Sequence, residues 1–151
     1  MDDKRTDIAT RELWARLFQA STIDQYLVEN SDACELPTFA EYITELARSR
    51  NEKAERVINR AGIERSFGHR LFSGTRNPSR DTALQLAFGF ELTTEETQRL
   101  LKIAQLTPLH PKVKRDAVIA YHLHNGLPLM DTQKALHDYG LPLLGGGRRD
   151  G

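Results

Sequence analysis

The chain has 151 residues, 39% of them hydrophobic and 28% charged, which suits a folded domain with a core and excludes a disordered composition. No apolar run reaches the ~18 residues of a membrane span, no basic-then-apolar leader precedes the first helix, and Cys34 is the single cysteine. The expectation is a cytoplasmic protein without an internal disulfide.

No segment alternates apolar and polar residues over a strand's length, so the fold is expected to be all-α. No internal repeat is evident. A first helix is expected to run through RELWARLFQA and on through STIDQYLVEN. Leu13, Trp14, Leu17 and Phe18 form its apolar stripe, resumed by Ile23, Tyr26 and Leu27. The turn-rich NSDACELP ends at Pro37 and marks off an acidic N-terminal helical extension, residues 1–36. Thr38 then caps a helix with Phe39, Tyr42, Ile43 and Leu46 on one face, and Glu41 completes the capping box. Ala54, Val57, Ile58 and Ala61 share one face of a second short helix, which Gly62 ends through left-handed backbone geometry. Ile63 plugs that turn, a third helix spans about 65–73, Gly74 stops it, and TRNPSRD is a loop.

Ser79 caps the fourth helix, RDTALQLAFGF, and Thr93 with Glu96 opens a fifth with Leu100, Leu101 and Ala104 inward. LTPLHP breaks the chain and puts Pro111 in the first turn of a sixth helix, which is expected to bury Val113, Ala117, Val118 and Tyr121. A last helix around MDTQKALHDYG ends at Gly140. The domains are then residues 37–106, a C-terminal helical extension over 107–144, and a disordered tail over 145–151.

The zero net charge conceals a sorting of signs. Residues 1–47 carry 4 basic and 10 acidic side chains, residues 48–80 carry 9 and 3, and residues 81–151 carry 8 of each. A basic block of this kind suits a polyanion; a solvated helical face is the other reading. Within the block, the third helix on a helical wheel puts Arg65, Ser66, His69 and Arg70 inside an arc of about 140°. Phe67 and Leu71 fall on the opposite side, at about 200° and 240°. Two short helices joined by a glycine turn, the second presenting such a face, meet the geometry of major-groove insertion. Arginine donates to guanine O6 and N7, and serine serves either base type. The surrounding cations, among them Lys53, Arg56 and Arg80, would neutralise phosphates.

The stretch EKAERVINRAGIERSFGHRLFSGTRNPSRDTALQLAFGFELTTEETQRLL resembles the Cro/lambda-repressor-like (XRE) family of helix-turn-helix regulators over about residues 38–106. The turn at Gly62-Ile63 and the following SGTRNPSRD carry the likeness. The remainder, LTPLHPKVKRDAVIAYHLHNGLPLMDTQKALHDYGLPLL, looks like the C-terminal extension of one bacterial branch. The resemblance implies a five-helix domain with the N-terminal extension before it and about two helices after it. It also implies a dimeric DNA-binding regulator, commonly a repressor. Arg65, Ser66 and Arg70 match the base-reading positions, with His69 beside them. Arg76, flanked by Thr75 and Asn77, matches the phosphate-touching loop. Three positions depart from the pattern: Ala54 stands where a phosphate-binding glutamine is usual, Glu64, expected to be a poor cap, replaces Ser or Thr, and Gly68 replaces an apolar residue at a propensity cost of about 1 kcal/mol.

Other chemistry finds little support. His122 and His124 diverge by about 200° on a helix, so they cannot chelate together, and no metal or other cofactor is expected. No phosphate loop, nucleophile elbow or paired carboxylates appear, so the chain is not expected to be an enzyme. Asp116 and Asp131 are expected to form surface ion pairs. Trp14, Leu17 and Phe18 either fold back on the chain's own domain or form a dimer or partner surface. The alternative function is therefore an antitoxin-like or adaptor protein that binds a protein through its acidic N-terminal helix.

Overall fold

The computed structural model describes residues 10–31 and 36–145. Among these residues all regular secondary structure is helical, and no helix is long and apolar enough to cross a membrane. Cys34 and residues 146–151, which belong to the tail expected to be disordered, lie outside the described residues. The chain divides into two compact units, Met1–Leu36 and Pro37–Gly151.

Over residues 10–30, where one helix was expected, the first unit has two, α1 (Thr10–Gln19) and α2 (Ile23–Glu29). Thr22 breaks the run. Its backbone is extended, and its hydroxyl accepts from the Gln25 N–H at 3.0 Å. The Gln25 side chain in turn accepts from the Ser21 N–H at 2.9 Å. A Thr-x-x-Gln cap is a local signal, and here it outweighs the continuity of the apolar stripe. Neither helix buries a residue. Trp14 and Phe18, one turn apart, stack with centroids 5.5 Å apart and remain 54% and 75% exposed.

The second unit contains α3 (Phe39–Ser49), α4 (Ala54–Arg60), α5 (Arg65–Ser73), α6 (Arg80–Gly89), α7 (Thr94–Ile103), α8 (Lys114–His124) and α9 (Leu129–Asp138). The capping boxes Thr38/Glu41 and Thr93/Glu96 form at α3 and α7, and Ser79 caps α6. Helix α6 is the centre of the unit. All its residues from Thr82 to Gly89 are buried, as a helix apolar nearly all round requires. It packs against α4, α7 and α9, and Gln85 in its middle donates to the Ala61 carbonyl at 3.1 Å, satisfying both the amide and the end of α4.

Helix α8 departs from the expected facing. Its buried residues are Asp116, Ile119 and Leu123, at i, i+3 and i+7. Val113 and Tyr121 are exposed, Ala117 and Val118 are half-buried, and Pro111 lies in a turn before the helix. The cause is Asp116. It is no surface ion pair: only 5% of its side chain is exposed, and it accepts two hydrogen bonds from Arg80, at 3.1 and 2.9 Å. Anchoring that carboxylate turns its own face of α8 inward. Asp131 is exposed.

An internal repeat, not evident in the sequence, is present at a spacing of thirty-five residues. It relates the α6–α7 hairpin to the α8–α9 hairpin. Arg80-Asp81 recurs as Arg115-Asp116, Thr97-Gln98 as Thr132-Gln133, and Leu92, Leu101, Leu106 and Leu109 as Leu127, Leu136, Leu141 and Leu144. The bonding recurs as well. Gln98 brackets Leu109, donating to its carbonyl at 2.9 Å and accepting from its N–H at 2.8 Å; Gln133 brackets Leu144 with the same two distances. Arg80 donates to the carbonyls of Thr107 and Pro108, and Arg115 to those of Pro142 and Leu143. Gly145, assigned to the tail by sequence, belongs to this framework, since its N–H donates to Asp81 at 2.9 Å.

Candidate nucleic-acid interface

The site is built on α4, the turn after it, and α5. Gly62 takes φ 69, a left-handed conformation, and the Ile63 N–H returns to the Ile58 carbonyl at 3.2 Å, closing α4. Glu64 then starts α5 as a true cap. Its carboxylate accepts from the N–H groups of Ser66 and Phe67, each at 2.9 Å. Those two bonds, the Phe67 one foremost, hold its carboxyl below the usual range. A longer side chain thus does what Ser or Thr does elsewhere, and the expected weakness at this position is absent.

Gly68 also acquires a reason. A Cβ there would lie 2.6 Å from the Ile58 side chain, so glycine is what lets α5 cross close over α4. Leu71 is fully buried, and Phe67 and Phe72 pack against the core. With the inner face fixed, Arg65, Ser66, His69 and Arg70 are all exposed on the outer one.

The structure divides these four. Glu55, on α4, accepts from Arg65 Nε at 2.5 Å and sits 3.1 Å from His69 Nε2. Hydrogen bonds from Arg65 first and His69 second hold the Glu55 carboxyl below its ordinary range. Arg65 nevertheless keeps 75% of its side chain exposed. Among the described residues the side chains of Ser66 and Arg70 make no hydrogen bond to a carboxylate, although the Arg70 charge also acts on Glu64. Sequence reasoning passed over Glu55 because its partners lie ten and fourteen residues on, across the turn, and no local pattern links them.

The expected phosphate contacts divide likewise. Lys53 and Arg56 are exposed at the start of α4, and Thr75, Arg76 and Asn77 are exposed in the loop after α5. The N–H groups of Thr75 and Arg76 are already committed to the Arg70 carbonyl, so at those two positions the loop offers side chains rather than backbone donors. Arg80 does not join them. Its guanidinium is spent on Asp116 and two carbonyls, leaving 25% of the side chain exposed.

The chain matches no known protein family, no curated protein and no solved structure. What the site can do therefore rests on its own chemistry. Of the nine cations in residues 48–80, Arg48, Arg50, Arg60, Arg65 and Arg80 are paired with Glu45, Glu96, Glu52, Glu55 and Asp116. Lys53, Arg56, Arg70 and Arg76 have no such pair among the described residues; the first two lie at the start of α4, Arg70 on α5 and Arg76 in the loop after it. A helix face holding a free arginine and a free serine, bordered by unpaired cations, can donate to base edges and neutralise phosphates. Among the described residues no cluster of His, Cys, Asp and Glu could hold a metal ion.

Proposed function

We propose that the protein is a sequence-specific DNA-binding regulator of the Cro/lambda-repressor-like type, with α3–α7 as its helix-turn-helix domain and α5 as the recognition helix. The single observation that carries this reading is the outer face of α5, where Ser66 and Arg70 stand exposed and unpaired. Their anchors, Leu71 and Phe67, lie on the opposite side. Arg70 and Ser66 read base edges. Arg65 and His69 approach as a cluster neutralised by Glu55, which can itself accept from a cytosine N4 amine. Lys53, Arg56, Thr75, Arg76 and Asn77 hold the phosphates. Regulation is by repression, in the cytoplasm, through a homodimer on half-sites about 34 Å apart. No catalytic step is assigned to the chain.

Selection from randomised duplex DNA tests this. The expected outcome is one enriched palindrome, and the Arg70→Ala variant should lose about tenfold or more of the preference at one base position. Selection that enriches nothing would sink the reading. A second reading, attachment to a protein partner through residues 1–36, is favoured by the stacked and exposed Trp14 and Phe18. On that reading alone no DNA sequence would be enriched, so the same experiment separates the two.

A further inference from the structure

The two hairpins are joined reciprocally. Arg80 of the first donates to Asp116 of the second, and Arg115 of the second donates to Asp81 of the first, at 3.0 Å for both of its bonds. Asp116 accepts a further bond from the His110 N–H, which follows the first hairpin, and Asp81 from the Gly145 N–H, which follows the second. Helix α7 packs on α8, and α9 packs on α6. Stacking by translation, as in a solenoid, would place each arginine on the next repeat's aspartate in one direction only. Exchange in both directions requires a rotation, and it is the signature of an isologous interface, in which one patch meets its own copy.

We infer that residues 114–145 are a second copy of the 79–110 hairpin, related to it by a pseudo-two-fold axis, and that the Arg-Asp dipeptides make each hairpin a docking surface for the counterpart hairpin of a second copy of this chain when the pairing within one chain is broken. Each half holds its own arginine in place. The glutamine brackets fix the tail after each hairpin, and the tail carbonyls hold the arginine's Nε and one Nη2 bond, leaving the guanidinium edge aimed at the other aspartate. The pairs are shielded, so a hairpin lacking the complementary dipeptide would strand buried charge. Only the connection between α7 and α8 decides which chain supplies the partner. Exchange of an identical element between protomers needs that connection to open and no new contact to be designed.

The test uses full-length chains and no DNA, so it stands apart from the DNA-binding reading. One variant neutralises the first dipeptide (R80A with D81A) and another the second (R115A with D116A). Each alone should lose hydrogen-exchange protection in α8 and α9. When the two are refolded together, the intact second hairpin of one chain and the intact first hairpin of the other form the native pair. Native mass spectrometry should then find a 1:1 heterodimer of twice the 17.1 kDa chain, with protection regained in the mixture and in neither variant alone. A mixture that forms no heterodimer would overturn the inference. So would double variants as well protected as the unaltered chain.

Discussion

Gly68 is the residue on which the crossing of α4 and α5 turns. Replacement by alanine would gain about 1 kcal/mol of helix propensity, but the new methyl would sit 2.6 Å from the buried side chain of Ile58, so one of the two must shift. Overpacking of this kind costs about 1–3 kcal/mol, so Gly68→Ala should lower stability in urea unfolding. Pairing it with Ile58→Ala should lose less than the two single changes summed, because the sites share one volume. A stabilised Gly68→Ala would mean the helices do not approach so closely. Glu64 makes a different prediction, through pH. Its carboxyl is depressed by the Phe67 and Ser66 N–H groups, so the stability it contributes is present above the unfolded carboxyl pKa of about 4.3. It is lost as pH falls through the lower folded value. Thermal midpoints of the wild type and Glu64→Gln should therefore differ at pH 6 and converge as the pH drops below about 4. A gap that persists in acid would show that the cap does not depend on the charged form.

At the scale of elements, the bonds that decide orientation are long in sequence, and this sets what could be read in advance. The caps at Thr38, Ser79 and Thr93, the turn at Gly62 and the span of α5 are local, made within three or four residues, and all were legible. The facing of α8 was not, because apolar spacing alone favoured Val113, Val118 and Tyr121, while the partner of Asp116 lies thirty-six residues away. The break at Thr22 was legible in principle from Thr22-x-x-Gln25 but was masked by a stripe that continues past it. The repeat was hidden for a related reason. Its recurring residues are those that bracket a tail, cross between hairpins or fill the core, while positions between them have diverged, as where the buried Leu86 answers to the exposed Tyr121. Asp116 is the clearest place to test the element scale. Removing its carboxylate as Asp116→Ala leaves the guanidinium of Arg80, three-quarters shielded, without its counter-charge. A loss of about 3–5 kcal/mol is expected. Chemical denaturation measures it, and a change of the size typical for a surface substitution would show that the pair does not anchor α8.

For the whole molecule, the quantity that matters is how much positive charge remains available, which a count along the chain overstates. The block from Arg48 to Arg80 carries nine cations, but carboxylates from inside it (Glu52, Glu55) and from outside it (Glu45, Glu96, Asp116) neutralise five. The outward arc of α5 was legible from its wheel; its partial neutralisation was not, since Glu55 reaches Arg65 and His69 only through the fold. Each protomer on its half-site should therefore release the counterions of about three or four phosphates, giving a slope of log affinity against log salt, per protomer, near −3 to −4 at ~0.9 per phosphate. Nine contacts would give about −8. Lys53→Ala, Arg56→Ala and Arg76→Ala should each reduce the magnitude of that slope by about 1 and leave base preference intact. Arg80→Ala should lower the thermal midpoint yet leave the slope where it was, because its guanidinium already faces Asp116. Fluorescence anisotropy with labelled duplex over roughly 50–200 mM salt reads all four variants on one scale. If Arg80→Ala flattened the slope as the other three do, Arg80 would have to leave Asp116 to reach a phosphate, and the contact between the hairpins would open on DNA binding rather than stay closed through it.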